Sequence, residues 1–501
     1  MSVLICGAGP TGLVAALVLT ANGVPCRVIE KHTGPSASSR ALGLQARSME
    51  ILSGLGVADE IARVSYRLTG AAIMRGTKKL TQMDWIPPSS PYPHTYVLPQ
   101  SGLERILRTH VSQQGVEVEW GTELVEAEHG GSGVDAHLAD GSTVTTQWLI
   151  GADGARSRVR DSIGIPFHQD STGETYYLAD AALDLPVDIG DSAMWLGPQG
   201  PLMLMRMPGD SRTWRVFIDV SDRSETDLPP MTQEMLARLL TERGPQGTEV
   251  VSMGWTSIFR TRIGLAARYR DGNVFIAGDA AHIFPPFGGQ GMNLGIQDAM
   301  NLGWRLSSVV ARGSDARLLA AYEKERRVVA EATIRDVNAR RKVFALRNPL
   351  ARAARDALLR IGGRSERARR RASLQNSQLQ TTYRDAVDHS AGGPGPRPGD
   401  RAPDAPFLNS TLHQLLGPDH VTLVHFSPSA SRSRVDRSAG AYEVTVASEG
   451  HEKLRETYGV NTGQECFVIV RPDGHIEHRG SQRSTVESVM PLLVGNRKGS
   501  M

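Results

Sequence analysis

The sequence predicts a multidomain α/β fold, on three observations. A short apolar run, Ser2 to Cys6, passes through Gly7-Ala8-Gly9-Pro10-Thr11-Gly12 into a helical run, Leu13 to Asn22, and then into a second apolar strand ending at Glu30. Residues 174–220 alternate apolar and polar side chains, the period of an antiparallel sheet with one face covered. Beyond a glycine- and proline-rich stretch, Gly392 to Gly399, strand-like and helical segments alternate once more. A length of 501 residues suits about three domains. With 40% apolar and 22% charged residues, wholesale disorder is excluded.

Each element follows from local pattern. After the first strand, helix and strand, the chain up to Gly154 reads as mixed: helices near Ser48 to Leu55 and Gly102 to Gln114, strands at Glu117–Trp120, Glu123–Glu128 and Val144–Gly151. Antiparallel strands follow around Tyr176–Asp180, Ala193–Leu196, Met203–Met205 and Trp214–Ile218. Asn273 to Ile276 is a buried strand, Gly278 to Gly291 a loop, and Asn293 opens a long helix. The expected domains are 1–170 with 255–325, a sheet domain at 171–254, a helical segment at 326–390, a linker at 391–400 and a terminal α/β domain at 401–501.

The chemistry rests on motifs in context. A G-x-G-x-x-G string is weak alone, but here it leaves a strand, opens a helix and is followed 23 residues after Gly7 by Glu30 at the end of the next strand. Gly7 permits the tight turn, Gly9 lets a pyrophosphate approach the backbone, and Gly12 lets helix and strand pack closely. The phosphate charge faces the helix N-terminus, and Glu30 accepts from a ribose diol. This Rossmann-like unit does not choose between NAD and FAD. A second site does: Asp279 leaves the apolar strand Val274–Ala277, and Pro285-Pro286-Phe287-Gly288-Gly289-Gln290-Gly291-Met292-Asn293 opens a helix. An aspartate for a ribityl chain and backbone N–H groups for an anionic flavin edge suit FAD, whose halves need separate anchors.

With these motifs and Ile150-Gly151-Ala152-Asp153-Gly154-Ala155-Arg156 between them, the chain resembles the single-component flavoprotein aromatic hydroxylases of the para-hydroxybenzoate hydroxylase type, over about residues 1–390. The resemblance implies an FAD site made by Gly7, Gly9, Thr11, Gly12, Leu13, Glu30, Lys31, Arg40, Gln100, Leu124, Asp153, Gly154, Asp279, Gly288, Gly291, Met292 and Asn293. Asp153 and Gly154 would serve the nicotinamide donor too, and the carbonyl of Pro286 would press on the flavin ring; no side chain is assigned as acid or base. It implies that reduced flavin takes up dioxygen and that a C4a-hydroperoxyflavin passes oxygen to an electron-rich carbon in a site closed to water. NADPH or NADH would bind only transiently, since no second strand-linked G-x-G-x-x-G occurs. Trp195, Met205 and Phe217 are the expected substrate-lining residues, whereas His282 is expected to be structural.

The C-terminal pattern around Pro398-Gly399-Asp400-Arg401-Ala402-Pro403 resembles the thioredoxin-like tail of the larger hydroxylases, among them those acting on polyketide scaffolds. Ser427 to Arg432 stands where a redox thioredoxin carries C-x-x-C, so thiol exchange is excluded there. The expected function is FAD-dependent, NAD(P)H-consuming hydroxylation of a polycyclic aromatic of polyketide type. Baeyer–Villiger or epoxidising chemistry is the rival within the fold, and a non-catalytic flavin- or nucleic-acid-binding protein the rival outside it. Cys6, Cys26 and Cys466 have neither disulfide nor metal spacing, which fits a reducing cytoplasm and no metal. No targeting segment or membrane span is expected. Fifty-six basic against 53 acidic residues give +3, no chain-wide field for nucleic acid. The 16 basic residues between Tyr322 and Arg371 are expected to form a solvated face of helices packed through Leu350, Leu358, Ile361 and their neighbours. A small aromatic substrate and a homodimer are the expected partners.

Overall fold

The computed structural model describes residues 2–36, 41–131, 133–221, 228–285, 288–386, 394–438 and 440–495. Its first layer is a six-stranded sheet in the order 270–271, 274–276, 148–151, 3–6, 26–30, 118–120. Val3–Cys6 lies at its centre, parallel to Trp148–Gly151 on one side and to Cys26–Glu30 on the other. The helix Pro10–Ala21 is buried along nearly its whole apolar surface, because the sheet covers one side and the helix Gly291–Arg312 the other. Strands Leu124–Gly130, Gly133–Leu138 and Thr143–Thr146 form a small antiparallel sheet beside it.

The second layer is an eight-stranded sheet built on two 18-residue strands, Phe167–Asp184 and Glu249–Ala266, paired antiparallel through bulges. The expected boundary of 171–254 is therefore too narrow. Gly70–Arg75 and Lys78–Asp84 also join this sheet, Gly70–Arg75 lying parallel to Ser192–Gly197. Their pattern hid this: Lys78–Asp84 is a polar edge strand with no buried residue. Alternation divides the faces. Tyr177, Trp195, Leu202, Trp214 and Ile218 pack on one side with the helix Gln233–Arg243. Tyr176, Leu178 and Phe217 point to the other, toward Val337 and Phe344 of the helix Ala320–Phe344.

Three helices make up the segment after 320: Ala320–Phe344, Pro349–Arg364 and Glu366–Ser377. Asn348 caps the second by accepting from the backbone N–H of Leu350 and Ala351, with Pro349 in the first turn. Leu350, Leu358 and Ile361 do not pack inward as expected. The face of this helix that meets the sheet instead carries Arg355, Asp356 and Gly363. Arg355 donates to the Leu196 carbonyl at 2.9 Å, Asp356 pairs with Arg75 at 2.6 Å, and Gly363 abuts Thr81.

The C-terminal unit is a mixed five-stranded sheet in the order 434–438, 441–446, 421–426, 466–470, 476–480, with one parallel pair, 421–426 with 441–446. One face has its own core; Val421, Leu423, Phe467 and Ile469 on the other belong to the main core. Residues 394–400, expected to be a linker too rich in glycine and proline to pack, are held down: Gly399 N donates to Ile476 O at 2.8 Å and Gly399 O accepts from Tyr383 N at 2.7 Å. Buried charges complete the docking. Arg471 binds Glu325 at 2.7 Å and Asp473 at 2.8 Å, Arg305 binds Glu325 at 2.8 Å, and Arg401 binds Glu50.

His475 lies in this contact, its ring against Tyr383 with centroids 4.1 Å apart. Burial pulls its pKa down from 6.5 to about 4, against the attraction of Asp473. A folded-state pKa below the unfolded one keeps stability intact above pH 6.5 and removes it as the pH falls toward 4, by about 3 kcal/mol. Melting temperatures at pH 7 and 5 should therefore differ in the native chain and differ much less in His475→Asn; an unchanged difference would assign the acid lability elsewhere.

Candidate functional site

The strands 3–6, 148–151 and 274–276 are parallel neighbours, so the three motifs that follow them emerge along one edge, at the carboxyl ends where open α/β sheets bind ligands. Gly7 has φ +107°, and a Cβ on it would lie 2.2 Å from the Ala152 carbonyl oxygen. A Cβ on Gly12 would lie 2.0 Å from the Gly7 carbonyl oxygen. At Gly9 a Cβ would meet nothing within 4 Å. Two glycines thus close the turn onto the protein, and the third faces open space at the N-terminus of the helix Pro10–Ala21. Thr11 joins the first motif to the third, its Oγ1 2.5 Å from where a Cβ of Gly278 would stand and 2.3 Å from that of Gly295.

Glu30 points back into this turn. Its Oε2 accepts from Ala8 N at 3.0 Å and its Oε1 from His32 N at 3.1 Å and from the His32 ring. Burial opposes its ionisation, but these donors outweigh it and hold the carboxyl below its usual range. Asp153 behaves in the opposite way: burial raises its pKa even though Oδ2 accepts from Arg158 N at 2.7 Å and Val159 N at 3.2 Å. Its enclosed Oδ1 has no partner among the described residues.

Asp279 stands exposed in the turn Gly278–Ala280, and Gly154 and Gly288, both at positive φ, flank the same edge. Gly291 and Met292 begin the helix Gly291–Arg312, presenting backbone N–H groups. Asn293 is fully buried and its carboxamide is engaged: Nδ2 donates to Gly43 O at 2.8 Å and Gly289 O at 2.7 Å, and Oδ1 accepts from Gln45 N at 2.8 Å. Its side chain ties the loop, leaving only its backbone to face a ligand. Leu13 and Leu124 are buried, Lys31 is exposed beside Glu30, and Gln100 opens the helix Gln100–Gln113 with its amide on Glu104 at 2.8 Å. Arg40 and Pro286 lie outside the described residues. The residues present fit FAD: open space at Gly9 beside a helix N-terminus, a carboxylate acceptor in Glu30, and an orphaned buried oxygen on Asp153.

The expected substrate residues divide. Phe217 faces the cofactor side of the eight-stranded sheet, stacked on Tyr176 with centroids 4.4 Å apart, and Met205 packs with Leu42, Leu68 and Val97 on the same side. Trp195 is on the opposite face, its Nε1 donating to the Gly76 carbonyl at 2.9 Å; strand alternation turns it into the core beneath the helix Gln233–Arg243. Trp255 and Phe259, which lie beyond the alternating segment 174–220, join the cofactor-side face half-buried. Beside them Arg215 binds Asp180 at 2.8 Å and lies 4.9 Å from the Trp255 ring centroid.

His282, expected to be structural, is fully buried, its Nε2 2.6 Å from Asp298 Oδ2. Asp298 Oδ2 also accepts from Gly278 N at 3.0 Å, and its Oδ1 from Arg326 Nε at 2.7 Å. The turn carrying Asp279 is thus pinned by a buried aspartate.

Comparison with known proteins agrees with this geometry. Residues 1–337 match the family described as FAD binding domain. The chain is 30% identical to the 6-methylpretetramide 4-monooxygenase of Streptomyces rimosus, over 96% of this chain and 91% of that one. It is 32% identical to the pentachlorophenol 4-monooxygenase of Sphingobium chlorophenolicum, over 95% and 86%. The solved structure of the OxyS anhydrotetracycline hydroxylase from Streptomyces rimosus superposes with a TM-score of 0.78 at 26% identity, covering 99% of both chains. The chain belongs to the FAD binding domain family and is an FAD-dependent aromatic monooxygenase, using dioxygen and a reduced nicotinamide donor.

Proposed function

We propose that the enzyme hydroxylates a polycyclic phenol of polyketide type, held between the FAD edge and the cofactor-side face of the eight-stranded sheet. The carrying observation is that face: half-buried Met205, Trp255 and Phe259 stand on it beside the buried Tyr176 and Phe217, with the Arg215–Asp180 pair as its charged element. Flat polycyclic rings bury large apolar area on such a surface, and the flexible methionines accommodate their outline. The names of relatives acting on 6-methylpretetramide and anhydrotetracycline support the same class.

Bound FAD supplies the activation of dioxygen once a nicotinamide donor has reduced it. The protein's part is placement. Gly9 and the helix N-terminus take the pyrophosphate, Glu30 the adenosine ribose, and Asp279 the ribityl chain. The backbone at Gly291 to Asn293 offers donors to the flavin edge, and the apolar wall keeps water from the reacting carbon. We read residues 401–495 as a redox-inactive thioredoxin-like unit; its support is the mixed sheet with flanking helices and the serines at 427, 429 and 431.

The test is product analysis with labelled dioxygen across a panel of polycyclic phenols: one labelled hydroxyl on a ring carbon is expected, and an inserted ester oxygen or an epoxide would overturn the reading. Trp255→Leu and Met205→Ala should each raise KM for the accepted phenol by about tenfold with flavin absorbance unchanged, while Trp195→Phe, on the opposite face, leaves KM where it was. An equal effect at Trp195 would place the substrate elsewhere.

A further inference from the structure

The helix Pro349–Arg364 presents its apolar stripe to solvent. Leu350, Ala353, Ala354, Ala357, Leu358 and Ile361 recur at helical spacing and are all exposed, the three large ones at 82%, 69% and 67%. They form a line about 16 Å long, set by eleven residues at about 1.5 Å each. Exposed arginines surround it: Arg347, Arg360 and Arg364 on or beside this helix, Arg367, Arg370 and Arg371 on the next. None of the six makes an ion pair among the described residues. Residues 342–371 hold ten basic and two acidic residues, a local charge of +8 in a chain of +3 overall, so the remaining 471 residues are net negative. Asp356, one of the two acids, is spent on Arg75 and Arg355.

This composition selects the partner. Self-association through the stripe would set one arginine cluster against another. Nucleic acid would satisfy the arginines but offers the stripe nothing to bury in, and the stripe has no aromatic side chain for base stacking. Leucines at 82% and 69% exposure stand clear of their surroundings, with no flanking walls of the kind that shape a groove for a partner's helix. A deformable anionic bilayer surface takes both components at once: leucine and isoleucine side chains enter the acyl boundary while arginines reach the headgroups.

We infer that the helix Pro349–Arg364 and its arginine rim form a peripheral docking surface for anionic phospholipid, which brings the FAD domain to the membrane surface without spanning it. No helix among the described residues is long and apolar enough to cross a membrane. The surface is opposite the face of this helix that carries Arg355, Asp356 and Gly363 against the sheet, so occupying it disturbs none of those contacts. The inference does not depend on which aromatic is hydroxylated.

Flotation of the full-length holoenzyme tests it, with phosphatidylcholine vesicles containing about 30% phosphatidylglycerol and with pure phosphatidylcholine. The protein should float with the anionic vesicles at about 0.1 M salt, bind about tenfold more weakly at about 0.5 M, and bind pure phosphatidylcholine far less. Leu358→Asp with Ile361→Asp should weaken vesicle binding by about a hundredfold. In the same variant, flavin absorbance, melting temperature and turnover in detergent-free buffer should not change. Absence of flotation, equal flotation of the variant, stronger binding to duplex DNA, or a dimer in sedimentation equilibrium that the variant dissociates would each overturn it, the last assigning the stripe to a second copy.

Discussion

Gly9→Ala is expected to give a folded protein that has lost FAD, while Gly12→Ala gives one that folds poorly whether or not FAD is added. The two glycines are three residues apart in one motif, and their surroundings separate them. Gly9 has an ordinary extended backbone, φ −74° and ψ 178°, and a Cβ there touches nothing within 4 Å. As the residue preceding the helix Pro10–Ala21, it loses at most about 1 kcal/mol on becoming alanine. The added methyl does, however, occupy the opening through which a pyrophosphate reaches the helix N-terminus, so FAD affinity should fall by about a hundredfold or more. At Gly12 the added carbon would stand 2.0 Å from the Gly7 carbonyl, where a strand end and a helix start are both buried; separating them costs about 1–3 kcal/mol or more. Melting temperature and flavin content after dialysis distinguish the cases. A Gly9→Ala protein that keeps its flavin would remove the pyrophosphate from this turn.

That contrast also shows how much of the site a reader of the chain can reach. Each of the three motifs is a contiguous string whose needs are local: a turn at positive φ, a close contact, a carboxylate at a strand end. Their convergence on one edge follows from the parallel pairing of the strands 3–6, 148–151 and 274–276, which the apolar runs announce as strands but not as neighbours. The wiring behind the motifs is of another kind. Asp298 lies within a helix, Arg326 is one of 16 basic residues in its stretch, and Tyr383 precedes a glycine–proline segment; no local pattern joins residues that meet only after folding. The full width of the sheet is hidden for the same reason, since Gly70–Arg75 finds its partner more than a hundred residues later. At Trp195 and Phe217 strand alternation was legible but its sign was not, because a period of two specifies opposite faces without saying which one meets the cofactor.

Arg326→Met should destabilise the protein by about 3–5 kcal/mol and loosen FAD, though Arg326 lies behind the turn rather than in it. Arg326 and Asp298 are both fully buried. Burial alone would raise the Asp298 pKa; His282 and Arg326 outweigh it and keep the carboxyl below its usual range. Removing the guanidinium leaves a buried carboxylate with one histidine and one backbone N–H, at 2.6 and 3.0 Å. The pH dependence of this contribution then weakens. In the native chain the depressed pKa contributes stability above the ordinary aspartate range that is lost as acid protonates Asp298. In the variant the carboxylate keeps His282 but has lost the guanidinium, so its pKa rises from the native position, and the stability lost with Arg326 is largest at neutral pH and fades as acid protonates Asp298. The gap in stability between the two chains should therefore narrow from pH 7 to pH 5. Asp298→Asn added to Arg326→Met should recover part of the loss, because the buried charge is gone while an oxygen remains to accept from Gly278 N. Because that N–H belongs to the residue before Asp279, flavin retention should follow stability across the set: lowest in the single variant and intermediate in the double. A single variant that melts like the native chain, or a double variant worse than the single, would show that this pair does not hold the turn.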